Sequence, residues 1–333
     1  MFFIVIFDSF VKFIEDIVSY FLPFFNTKIL NSEFKEENVI TDKIFTLPAD
    51  ADGRQKMEDW IEKKYGNIDA SVIGRSILSR EVKAFFIGGG RRYIMLFATH
   101  HALESITANL SYMLIDLLVE AEHKNKLYGI DCKLLLSKYR FVIVPCVNPD
   151  GVELRYHGAG KTPLHDRLVR MSGGDFSTWQ ANARGVDLNH NYDLGFAEYK
   201  LIEKERGIVA GPSLYSGEYP ESEPESKGVA TLIRTLGPAA VVSLHSQGEE
   251  IFAFPSTPRV KRIAQRLSEI TDYTLSTPDG TAAYTGLCDY TASLGIPSFT
   301  FEVGKGKNPL PEKSVQDIVP RIAEAIITLP TLL

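Results

Sequence analysis

Short apolar runs rich in β-branched residues alternate with amphipathic stretches over most of the chain, and this alternation limits the possible folds more than any other feature. Strand-like runs fall at 72–78, 82–87, 93–99, 139–144, 239–244, 252–254 and 298–302. Helix-like periodicity falls near 53–65, 103–123, 222–236, 258–270 and 315–329. Strands separated by helix-length segments form a sheet covered on both faces, so the expected class is α/β. The architecture is three-layered, α/β/α, around a mixed, mostly parallel central sheet. Gly88-Gly89-Gly90 lies between two strand-like runs and reads as a hairpin turn, which makes part of that sheet antiparallel.

The 333 residues, 44% apolar and 23% charged, suit a soluble globular protein with a sizeable core. Lysine and arginine number 36 against 42 acidic residues, and a net charge of −6 provides no electrostatic footprint for nucleic acid. Cys132, Cys146 and Cys288 are odd in number and widely spaced, which excludes a disulfide framework or a thiolate metal site. They read as small buried hydrophobes, and the expected compartment is the reducing cytoplasm.

Residues 2–25 are conspicuously apolar, but Asp8, Lys12, Glu15 and Asp16 interrupt them. A secretory signal has an uncharged core and a transmembrane helix tolerates few charges. With Ser19, those residues fall on one narrow helical stripe, so 1–25 is expected to be an amphipathic helix with a wide apolar face. Two occupants of that face stay open: the protein's own body or a second copy, and a membrane surface. Residues 26–52 read as a polar connector, and 53–333 as one catalytic domain without internal repeats.

Three strand ends carry chemistry. The run ending at Ala98-Thr99 meets a helix at His101-Ala102-Leu103-Glu104, where positions three apart share a face. The run 239–244 leads straight into His245, at the carboxyl end of a strand, where open α/β sheets bind ligands. A third strand delivers Glu302 between Phe301 and Val303, a position that is costly for an acid without a positive partner. Two imidazoles, one carboxylate ligand and one spare carboxylate are the parts of a metal-assisted hydrolase.

With these motifs the chain resembles the zinc carboxypeptidases of the carboxypeptidase A type. His101-Ala102-Leu103-Glu104 matches their His-Ala-x-Glu, and Phe299-Thr300-Phe301-Glu302 matches their terminal Phe-Thr-x-Glu. Val147-Asn148-Pro149-Asp150-Gly151 and Arg184-Gly185-Val186-Asp187-Leu188-Asn189 are also typical, and the resemblance runs from about Val82 to Gly304. It implies that His101, Glu104 and His245 hold one zinc ion per chain and that Glu302 is the general base. Asp187 is implied to orient a ligand histidine. Asn189 is implied to hold a substrate carboxylate beside His190, which replaces the family's usual arginine. Arg184 is the candidate for polarising the scissile carbonyl, and Tyr284 for the mobile substrate-binding tyrosine. Cys288 falls where the family selects the leaving side chain.

Asp187-Leu188-Asn189-His190-Asn191-Tyr192 and His245-Ser246-Gln247-Gly248-Glu249-Glu250 are similar to the bacterial γ-D-glutamyl-diaminopimelate peptidases. That similarity implies a murein-type, cell-wall peptide as substrate, with Gln247, Glu249 and Glu250 lining a polar pocket. An ordinary carboxypeptidase removing C-terminal amino acids, and an inactive zinc-binding module of the same fold, are the alternatives. His100 reads as a packing residue turned away from the metal; His123, His157 and His165 receive no role.

Overall fold

The computed structural model describes residues 42–124, 126–277 and 286–333. The expected helix 1–25, the first part of the connector and Tyr284 lie outside them. The strands are β1 (Ala70–Arg75), β2 (Glu81–Ile87), β3 (Arg92–Ala98), β4 (Lys126–Leu127), β5 (Ile130–Asp131), β6 (Tyr139–Val144), β7 (Ala240–His245), β8 (Glu250–Phe254), β9 (Thr274–Leu275) and β10 (Ser298–Glu302). The helices are α1 (Ala51–Tyr65), α2 (Ile106–His123), α3 (Cys132–Lys138), α4 (Pro149–His157), α5 (His165–Ser172), α6 (Phe196–Arg206), α7 (Pro224–Leu236), α8 (Pro258–Thr271), α9 (Leu287–Ser293) and α10 (Val315–Leu332).

Eight strands form one sheet in the order β1-β2-β6-β3-β7-β10-β8-β9. The centre, β6-β3-β7-β10, is parallel. β1, β2 and β8 pair antiparallel beside it. Alternation along the strands separates two cores. Met95 and Phe97 of β3 pack with Val229, Ala230 and Ile233 of α7 and with Leu287 of α9. On the other face α2 packs against α1 and α10, and α10 packs against α8. The three-layer α/β/α expectation and the mixed, mostly parallel sheet are both present.

Local chemistry starts the helices. The Asp50 side chain accepts from Gly53 N at 2.8 Å at the start of α1. The Asn148 side chain accepts from Gly151 N at 2.9 Å, with Pro149 in the first turn of α4. Residues 43–46 of the expected connector form a 3-10 turn. Phe45 there is buried edge-on to Trp60, with ring centroids 5.2 Å apart, and Asn109 Nδ2 donates to the Phe45 and Leu47 carbonyls at 2.8 Å each. The described end of this stretch is therefore anchored by one aromatic side chain and a buried amide.

The glycine hairpin is corrected. β2 and β3 do not pair; β6 lies between them, antiparallel to β2 and parallel to β3. The antiparallel hairpin is instead β1–β2. Gly88-Gly89-Gly90 carries the chain past the start of β6. A Cβ at Gly90 would stand 2.1 Å from Lys138 C and Tyr139 N, so close backbone approach demands the glycine. No helix among the described residues is long and apolar enough to cross a membrane.

Candidate metal centre

The carboxyl ends of β3, β7 and β10 open on one edge, where the side chains foreseen for metal chemistry gather. In β10, Glu302 sits in register with His245 of β7. After β3, Thr99 takes a φ of 59° and its Oγ1 donates to Pro145 O at 3.1 Å, stopping the strand. The two histidines that follow part company. His100 is fully buried with Nε2 2.8 Å from Tyr192 Oη, whereas His101 faces the cleft. The 3-10 turn Ala102–Glu104 then brings Glu104 round onto His101 before α2 begins.

Glu104 bridges the two imidazoles. Its Oε1 is 2.9 Å from His101 Nδ1 and its Oε2 is 2.9 Å from His245 Nδ1. One ligand atom from each of the three side chains lies within 4.8 Å of the others. His101 Nε2 is 3.1 Å from Asp187 Oδ1, and Asp187 also accepts from Asn189 N at 3.2 Å and Leu214 N at 3.1 Å. Asp187 therefore occupies the far nitrogen of His101 and leaves Nδ1 turned to Glu104.

The electrostatics follow. Burial disfavours the charged form of Glu104, but His101 and His245 override it and hold the carboxyl down to about 2. Burial likewise opposes a charged His101, and Glu104 with Asp187 raises it well above the usual imidazole range. Asp187 is held well below the carboxylate range, against its burial, by His101 and His190. Glu302 differs. Burial pushes it up to about 7, with Glu104 adding repulsion and His245 opposing. Two Nδ1 atoms and a carboxylate converging beside an open cleft of about 190 Å³ are a donor set that fits zinc, with room for a further ligand.

Of the other expected residues, Asn189 and His190 line this cleft. Asn189 Oδ1 accepts from Leu287 N at 3.2 Å. His190 stacks on Tyr199 with centroids 4.3 Å apart, and burial lowers its pKa against the pull of Asp187. Cys288 also lines the cleft, its buried thiol pushed up to about 12. Arg184 is not brought to it. Its Nε donates to Glu223 Oε2 at 2.9 Å and its Nη2 to Ser222 O at 3.3 Å. Gln247 is exposed and outside the lining, and Glu249 is drawn to Lys305 at 2.6 Å. Glu250 stands opposite Glu302 in register and is also outside the lining.

Sequence reasoning missed Gln180, Asp289, Thr300, Phe252 and Phe254, which all line the cleft. Thr300 carried a usable signal, because strand period two puts it on the same face as Glu302. Phe252 pairs with Thr300 across β8 and β10, which only the sheet order reveals.

A family profile described as zinc carboxypeptidase matches residues 55–324. A gamma-D-glutamyl-L-diamino acid endopeptidase 1 from Lysinibacillus sphaericus is 30% identical over 259 residues, 75% of this chain and 64% of that protein. Murein peptide amidase A of Escherichia coli K12 is 29% identical over 173 residues, 50% of this chain and 59% of that protein. The chain thus matches less than two thirds of the length of either relative. Among solved structures, thrombin activatable fibrinolysis inhibitor shares the fold with a TM-score of 0.65 at 21% identity, covering 88% of this chain and 78% of the other. A murein-tripeptide amidase from Escherichia coli O157 does so with a TM-score of 0.52 at 21% identity, covering 80% and 94%.

Proposed function

Because the chain belongs to the zinc carboxypeptidase family, we propose that it is a zinc peptidase hydrolysing an amide bond in murein-type peptides, at the linkage between γ-D-glutamate and a diamino acid. The names of the two relatives, a γ-D-glutamyl-L-diamino acid endopeptidase and a murein peptide amidase, support that substrate class. So does His190, a neutral ring where the family's usual arginine would grip a C-terminal carboxylate. Three free, buried cysteines support the cytoplasm as the place of action.

The observation that carries the reading is the meeting of His101, Glu104 and His245, with Glu302 on the adjoining strand end. These three side chains would hold zinc, which when bound supplies Lewis acidity to the scissile carbonyl and acidifies water. Asp187 keeps His101 in the orientation that presents Nδ1. Glu302 takes a proton from the attacking water and returns it to the departing amine. Its carboxyl stands on the strand end beside His245 and lines the same cleft, which places it within reach of both partners. Gln180, Asn189 and His190 are neutral hydrogen-bonding groups in the cleft lining, positioned to receive substrate oxygens.

The test is digestion of an L-alanyl-γ-D-glutamyl-diaminopimelate peptide by the zinc-loaded protein, with products weighed by mass spectrometry. Free diaminopimelate and L-alanyl-D-glutamate are expected. Release of C-terminal residues from ordinary α-linked peptides alone would identify a general carboxypeptidase. A zinc-replete protein inert on both would be a binding module.

A further inference from the structure

We propose that Asn308 is a positioning residue of the metal centre, clamping Ser246 so that the Ser246 N–H holds the Glu104 carboxylate in place between His101 and His245. This rests on the metal-centre reading above and extends it to a residue outside the cleft lining.

Asn308 lies in the loop that follows β10, and it is half-buried although Lys307 and Pro309 on either side are exposed. An amide carries an acceptor and a donor on one rigid group, and here both meet the same residue. Ser246 Oγ donates to Asn308 Oδ1 at 2.9 Å, and Asn308 Nδ2 donates to Ser246 O at 2.6 Å. Ser246 is buried, so these bonds form away from competing water. The Ser246 N–H in turn donates to Glu104 Oε2 at 3.3 Å, the oxygen that lies 2.9 Å from His245 Nδ1.

That N–H has a task the imidazoles cannot share. An imidazole nitrogen that ligates a metal is unprotonated and gives its lone pair to the ion, so it no longer donates to a neighbouring carboxylate. Among the described residues, the groups that can donate to the Glu104 carboxylate are His101 Nδ1, His245 Nδ1 and Ser246 N. With the two imidazoles committed to a metal, Ser246 N is the donor left to fix the carboxylate. Two backbone bonds flank it: Val303 N donates to His245 O at 2.8 Å, and Gly248 N to Gly304 O at 2.9 Å. They tie the chain after Glu302 to the chain after His245, but neither bonds to Ser246. The Asn308 side chain supplies that contact.

The experiment measures zinc affinity by chelator competition, which needs no substrate and so stands apart from the murein reading. Asn308→Ala is expected to bind zinc about 10- to 100-fold more weakly than wild type, the range for losing a group that orients a metal ligand. Ser246→Ala, which keeps the carbonyl contact, should lose less. Adding Ser246→Ala to Asn308→Ala should weaken binding little further, because the two side chains act through one contact. Wild-type affinity in a folded Asn308→Ala protein, or losses that simply add, would overturn the proposal. Urea unfolding of the zinc-free proteins separates a brace from a positioning group: lower stability with unchanged zinc affinity also counts against it. Hydrogen exchange on the wild-type protein requires no variant. Coupling between sites is reciprocal, so zinc should slow amide exchange in residues 304–308 as well as in 245–249, and indifference of 304–308 would refute the clamp. A wild-type protein that takes up no zinc would overturn this proposal together with the metal-centre reading.

Discussion

Two buried glutamates in different parts of the molecule show what separates a working acid from a structural one. Glu104 stands at the carboxyl edge of the sheet between two imidazoles and is held down to about 2 despite burial. Glu225, on α7 beside β1, is completely buried, accepts from Ile77 N at 3.4 Å, and has no partner for Oε2 among the described residues. Burial pushes it up to about 8, with Asp150 and Glu223 adding repulsion. Asp150 itself takes the available donors: Arg80 at 2.7 Å, Ser76 at 2.8 Å and Leu78 N at 2.7 Å. Loss of water acts on both acids alike; the neighbours decide which keeps its charge. The acid that stays ionised is the one placed to share a cation.

The strongest challenge to that contrast is to remove one imidazole or the acid next to it. His245→Ala should abolish both stoichiometric zinc and measurable hydrolysis. Glu302→Gln should keep the zinc and lower kcat by about 10²- to 10⁴-fold, the usual contribution of a positioned base. Metal analysis beside steady-state kinetics distinguishes them, and zinc loss in Glu302→Gln would make that residue a ligand. A smaller effect is expected one step further out. Asp187→Asn should weaken zinc binding by about 10- to 100-fold in chelator competition, because His101 loses the group that fixes its ring. Affinity equal to wild type would mean that Asp187 only braces the loop through Leu214 and Asn189.

The smallest effect concerns the other acid. A pKa raised above the unfolded carboxylate value means that native Glu225 binds the extra proton. Stability is then full at acid pH and falls as pH climbs from the carboxylate range towards about 8, by at most about 1.4 kcal/mol per pH unit. Glu225→Gln preserves the neutral form, so its stability relative to wild type should improve steadily between about pH 5 and pH 8 in urea unfolding. A pH-independent difference would show that the native carboxyl finds a partner.

Much of the site was legible because its parts are short and local. His101 and Glu104 lie three residues apart at a strand-to-helix junction, and His245 and Glu302 each terminate an apolar run. The chain order of these signals needed no coordinates. Arg184 shows where local signals stop. Its flanking motif is typical of the family, but its direction depends on Glu223, 39 residues later, which captures the guanidinium. Asp289 was passed over because no local motif marks it. Only the sheet order and the placement of Asn189 turn it into a wall of the cleft.

From sequence alone came the layered class, five of the ten described helices and seven of the eight strands of the large sheet near their observed places, and the residues able to bind a metal. Periodicity and neighbour chemistry are written within a few residues of each position, so they survive without a fold. Tertiary structure alone decided that β6 enters between β2 and β3, which turned a supposed glycine hairpin into a close crossing. It also decided which nitrogen of His101 faces Glu104, which cations reach the cleft, and which buried acid remains charged. Each of these depends on atoms brought together from distant parts of the chain, and burial magnifies the consequence of every such meeting.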